Sequence, residues 1–76
     1  MDRLARIVSP DDWIRVLFSA QAVAKGGVVR RSAHWVDREI GRDRFIAEVR
    51  KRGFHLVECG GQLIVICNQT GLRVIC

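Results

Sequence analysis

Seventy-six residues with a net charge of +5 and 49% hydrophobic content describe one small basic domain over residues 1–76, with apolar side chains enough for a core and little room for an enclosed active site. That apolar share excludes intrinsic disorder, and no apolar run approaches the ~20 residues a membrane span requires. Met1-Asp2-Arg3-Leu4-Ala5-Arg6 has no long apolar stretch behind it, so no secretory signal and a cytoplasmic location are expected.

Residues 2–8 alternate weakly through Leu4, Arg6 and Val8, as a short edge strand or a fraying tail does. Ser9-Pro10-Asp11-Asp12 is a helix start: a capping hydroxyl, a proline preset for the first helical position and two acids at the positive end of the dipole. Trp13, Ile14, Leu17, Phe18 and Ala24 follow at helical spacing, and Lys25-Gly26-Gly27 closes the segment, so one helix is expected over about 10–25. Val28-Val29-Arg30-Arg31 reads as a brief strand. Ser32 is placed to cap a second helix carrying Trp35, Val36 and Ile40 and stopped by Gly41. A third runs over about 42–52, burying Phe45, Ile46 and Val49, with Arg44–Glu48 and Glu48–Arg52 at supporting spacing. Gly53 ends it.

Phe54–Cys59 and Gln62–Asn68 are strands joined by Gly60-Gly61, a pair suited to a primed hairpin turn. The turn places 59 opposite 62, 57 opposite 64 and 55 opposite 66. Asn68-Gln69-Thr70-Gly71 suits a type I turn into a third strand, Leu72–Cys76, with 67 opposite 72 and 65 opposite 74. The expected fold class is therefore α+β: a small antiparallel sheet, made of a C-terminal three-stranded meander plus a short strand, packed by an N-terminal helix and two central helices. One sheet face carries Phe54, Leu56, Leu63, Val65, Cys67, Leu72, Val74 and Cys76. The other carries His55, Val57, Cys59, Gln62, Ile64, Ile66, Arg73 and Ile75, which is apolar for a surface and calls for a helix, a second subunit or a partner to cover it.

The charge is concentrated. Residues 25–53 hold nine Lys/Arg against four Asp/Glu, while the remainder of the chain balances, and arginine outnumbers lysine eleven to two. Arginine suits bidentate contacts to phosphate or carboxylate. An ordinary solvated face laced with ion pairs explains the same residues.

Familiar site chemistries find little support. Three cysteines at 59, 67 and 76 form no Cys-x-x-Cys pair and read as reduced core thiols. In the expected register Cys59 and Cys67 fall on opposite faces and near opposite ends of the hairpin, so they share neither a metal nor a disulfide. His55 and Cys59 share a face but lie roughly 13 Å apart along the strand. Asp11 and Asp12 are accounted for by the helix start, and the glycine pairs lack phosphate-loop spacing. No enzyme activity, no metal and no cofactor are expected. Binding is.

The order helix, strand, helix, helix, hairpin over about 10–68 resembles a winged-helix domain, with Gly41 near the inter-helix turn, 42–52 as recognition helix and Gly60-Gly61 at the wing tip. The resemblance implies that Arg42, Arg44, Lys51 and Arg52 face DNA, with Arg30 and Arg31 as flanking phosphate contacts. Two positions depart from the pattern: Asp37 stands where a small apolar residue packs the helix pair, and Arg42 where the turn buries an aliphatic. The aromatics sit at core positions, so no stacking platform for single strands is visible. In size, compactness and missing site chemistry the chain also resembles the small phage and mobile-element proteins directed against host machinery, anti-CRISPR proteins above all. That resemblance implies an inhibitor docking on a host protein or nucleoprotein complex. The arginine flank would meet an acidic or nucleic-acid-handling surface, and His55, Ile64, Ile66 and Ile75 would form the apolar centre. Of these two, the host protein or nucleoprotein complex is the first expectation and nucleic acid the alternative, with the chain a monomer or a homodimer and no membrane involved.

Overall fold

In a computed structural model, which describes residues 8–76, Ser9 opens the first helix through a capping box. Its hydroxyl accepts from the Asp12 N–H at 3.1 Å while the Asp12 carboxylate accepts from the Ser9 N–H at 3.3 Å. The expected strand over 2–8 lies outside the described residues, save Val8, which is exposed and in no strand.

The single helix expected over 10–25 is two helices. Helix α1 spans Pro10–Phe18 and α2 spans Gln21–Ala24, with Ala20 extended between them at φ −61° and ψ 152°. The Ser19 hydroxyl donates to the Val16 carbonyl at 3.0 Å, satisfying the acceptor that a continuing helix would have offered to residue 20. The break turns Ala22 and Val23 onto the core. The Gly27 N–H then bonds the Ala22 carbonyl at 2.7 Å, which sets the chain into strand β1, Val28–Ser32.

Helices α3, Ala33–Glu39, and α4, Arg42–Lys51, follow as the pattern requires. Ser32 caps α3 by accepting from the Trp35 N–H at 3.1 Å. Gly41, at φ 99°, makes the turn between the two helices in a backbone conformation other residues rarely adopt. Strands β2, His55–Cys59, and β3, Gln62–Ile66, form the hairpin in the expected register, His55 opposite Ile66, Val57 opposite Ile64 and Cys59 opposite Gln62. Gly60 and Gly61, at φ 57° and 74°, both take the left-handed backbone that a tight primed turn needs.

The third strand is not the expected one. Leu72–Cys76 forms no strand and is exposed, with Leu72 at 51%, Val74 at 78% and Ile75 at 77% exposure. Its place beside β3 is held by β1, which pairs antiparallel from Val28 opposite Ile66 to Ser32 opposite Gln62, giving the sheet order β1-β3-β2. Bonds from Cys67 N–H to the Gly27 carbonyl and from Ala33 N–H to the Gly61 carbonyl, both 2.8 Å, extend that ladder at each end. Strand β1 brings Val29 into the core and is tied on either side to helices that pack there. Once it is seated, the central strand has no free edge for 72–76.

The result is a small α+β domain with a three-stranded antiparallel sheet packed against helices. Its core joins Ile14 and Leu17 of α1, Val29, Ala33, Val36 and Ile40, Phe45 and Val49 of α4, and Leu63, Val65 and Cys67. Phe45 and Val36 have no solvent exposure. Cys67 alone of the three cysteines is a core thiol, while Cys59 and Cys76 are exposed. Burial pushes the Cys67 thiol up from its ordinary value.

Candidate binding surfaces

Strand alternation sends Val29, Leu63 and Val65 into the core, which leaves Val28, Arg30, Ile64, Ile66, His55 and Val57 on the other side of the sheet. The helices pack on the core side. On the outer side Ile64, Ile66 and His55 are half-buried, Val57 is 37% exposed and Val28 55%. Arg30 sits opposite Ile64 on this surface and makes no ion pair among the described residues. Ile75 does not join the patch, contrary to expectation. It lies in the tail beyond the sheet because the strand that was to carry it never forms.

His55 is half-buried at the margin of this face, and its Nε2 lies within hydrogen-bond reach of the Thr70 carbonyl. The Gln69 amide donates to the Arg52 carbonyl at 2.9 Å. These two bonds fix the start of the tail against the end of α4 and the start of β2. Beside them a groove of about 390 Å³ is lined by Ile46, Val49, Arg50, Phe54, Leu56 and the tail residue Leu72, among others.

The described basic residues divide into two groups, and Arg15 and Arg38, paired with Asp12 and Glu39, belong with the first. Arg42, Arg44 and Arg52 are occupied within the domain. Arg42 spans Asp37, with Nε to Oδ1 at 2.9 Å and Nη2 to Oδ2 at 3.3 Å, and also reaches Glu58 at 3.3 Å. That forked contact holds the Asp37 carboxyl below the ordinary carboxylate value and the Arg42 guanidinium above its own. The two positions that depart from the winged-helix pattern thus pair with each other across the α3–α4 turn. Arg44 bonds Asp11 at the start of α1 and lies 3.9 Å from Glu48. Arg52 donates to Glu48 at 2.6 Å and stacks its guanidinium 4.1 Å from the centre of the Phe18 ring. Arg52 is the main reason the Glu48 carboxyl lies below its usual range.

The second group, Lys25, Arg30, Arg31, Arg50, Lys51 and Arg73, makes no ion pair among the described residues and is exposed. Arg30 and Arg31 point to opposite sides of β1. Arg31 lies beside Trp13, Val16 and Trp35, and its Nη1 donates to the Arg30 carbonyl at 2.7 Å. Trp13 and Trp35 meet edge to face at 5.0 Å, with the Trp13 indole N–H donating to Glu39 at 3.3 Å. Of the two neighbours on α4, Lys51 is an expected contact and Arg50 is not, since nothing in the helical spacing separates a paired from an unpaired arginine. Only the position of acids on other elements does so.

Among the described residues no group of three or more His, Cys, Asp or Glu side chains is placed to hold a metal ion, and no helix is long and apolar enough to cross a membrane. No family model, no curated protein and no solved structure matches the chain.

Proposed function

We propose that this domain is a non-enzymatic binding module that docks on a host protein or nucleoprotein complex through the outer face of its sheet, in the manner of a small phage- or mobile-element-encoded inhibitor. The supporting observation is the apolar surface of Val28, Val57, Ile64 and Ile66, which among the described residues carries no helix over it and one guanidinium without an ion pair, Arg30, among its aliphatic side chains. Three strands of five residues present a footprint of roughly 240 Å², well short of the ~800 Å² that each partner contributes to a standard interface. The partner therefore reaches past the sheet rim, and an acidic group opposite Arg30 completes the match. The decisive comparison is affinity capture by the wild-type domain and by Ile66→Asp, with circular dichroism to confirm that both are folded. A partner held by the first and released by the second supports the outer face. A partner held equally by both removes that face from the interface.

A second reading has its own support. The element order, and the sheet order β1-β3-β2 behind the pair α3–α4, agree with a winged-helix DNA-binding domain, and Arg50 and Lys51 on α4 make no ion pair among the described residues. In this reading Arg50 and Lys51 contact phosphates, while Arg42, Arg44 and Arg52 mainly hold the scaffold. Fluorescence anisotropy against duplex DNA, from low to moderate salt, tests it. Replacing Arg50 and Lys51 with alanine lowers the slope of log affinity against log salt by roughly two. An unchanged slope excludes both residues from a DNA interface.

A further inference from the structure

We propose that two copies of this chain associate by strand exchange, the segment Leu72–Cys76 of one copy adding antiparallel to the edge of β2 in the other, an edge that no strand among the described residues pairs with. This goes beyond the docking function above and uses a different surface. Two unsatisfied features carry it. The first is the edge of β2. The hairpin turn makes Cys59–Gln62 a hydrogen-bonded pair, so alternation directs the backbone groups of His55, Val57 and Cys59 toward β3 and those of Leu56 and Glu58 outward. Among the described residues nothing bonds to those outward groups. The opposite edge, β1, is blunted at its middle carbonyl, since Arg30 O already accepts from Arg31.

The second feature is the tail itself. Leu72, Val74 and Cys76 alternate with Arg73 and Ile75 in a β-branched, apolar run, yet β1 occupies the strand position this pattern suits, and the run is left exposed. The bonds from His55 to Thr70 and from Gln69 to Arg52 fix its starting point beside the β2 edge. Beneath that edge lies the groove lined by Ile46, Val49, Phe54 and Leu56, which Leu72 of the same chain enters while staying half exposed. An incoming tail with Val74 opposite Leu56 drops its core-side chains into this groove and pairs the Val74 N–H and carbonyl with the outward groups of Leu56. Reciprocal exchange satisfies both features in both copies.

The geometry gives a selective test, because only alternate residues of an added strand face the ladder. Val74→Pro removes a ladder donor, whereas Arg73→Pro removes an N–H that points away. Both positions are exposed in the monomer, so neither change disturbs its core. In sedimentation across the micromolar range the full chain and Arg73→Pro form a dimer, while Val74→Pro weakens it by about tenfold or more. Amide exchange protects Leu56 and Glu58 in the dimer and leaves them open in Val74→Pro. A chain that stays monomeric at every concentration overturns the proposal. So do equal effects of the two prolines, protection of Leu56 and Glu58 in a monomer, and a dimer dissolved by Ile66→Asp but indifferent to Val74→Pro.

Discussion

Val65 and Val57 lie on neighbouring strands of one hairpin and face opposite sides of the sheet, which makes them a matched pair for asking whether the outer face is covered. Val65 is 1% exposed and Val57 37%. Truncating Val65 to alanine removes two buried methyl groups, worth about 0.8 kcal/mol each in transfer, and adds a cavity term, for a loss of about 2–3 kcal/mol. A domain of this size has roughly 4–11 kcal/mol of stability in all, so the variant unfolds some 10–20 °C earlier at about 4–8 °C per kcal/mol. Val57→Ala removes methyls already half in water and costs about 0.5 kcal/mol or less beyond its strand preference. Urea and thermal melts followed by circular dichroism read the difference directly. Equal losses at the two sites would refute the assignment of an uncovered face, because they would require Val57 to be as enclosed as Val65.

Three further outcomes follow from the same geometry. Gly61→Val places a β-branched residue at φ 74° with no neighbouring atom for its Cβ to meet, so its cost of about 1–2 kcal/mol in a chemical melt is backbone strain alone; an unchanged midpoint would mean that the hairpin turn has changed type. Stability falls on acidification: the Asp12, Asp37 and Glu48 carboxyls lie below their ordinary 3.8, 3.8 and 4.5 in the folded chain, so their contribution is present above those values and is lost as pH drops through the lower folded ones. The Asp12 shift comes first from its bond to Ser9, and a thermal-melt series from pH 6 downward should show a shallower acid slope in Asp12→Asn. Finally, Cys59 and Cys76 should react with an aromatic disulfide reagent at mildly alkaline pH in the folded monomer while Cys67, buried and with its thiol pushed up, reacts only on unfolding; three fast thiols would contradict the placement of Cys67 in the core.

Local chemistry was enough to determine much of this molecule. Ser9, Pro10 and Asp12 specify a helix start because the cap, the proline and the acid all act within one turn. Gly60-Gly61 specifies the hairpin, and its turn type carries the register of every residue from 55 to 66 with it. Ser32, Gly41 and Gly53 mark the limits of α3 and α4 for the same reason. The inward set Leu56, Leu63, Val65 and Cys67, and the outward set Val57, Ile64 and Ile66, follow from alternation once that register is set. What tertiary structure alone decided is competition between distant segments. Val28–Ser32 and Leu72–Cys76 are both short and β-branched and both suit the open side of β3, and nothing local ranks them. The flanking helices do, by seating Val29 in the core, and Ile75 loses its place on the apolar face as a consequence. The arginines obey the same logic. Arg42 and Arg50 look alike along the helix, yet Asp37 and Glu58 hold one while the other meets no acid among the described residues, because an ion pair depends on where acids from other elements arrive. Spacing along a chain fixes turns, caps and faces, whereas the choice among equivalent partners is made by the packing that brings only one of them within reach.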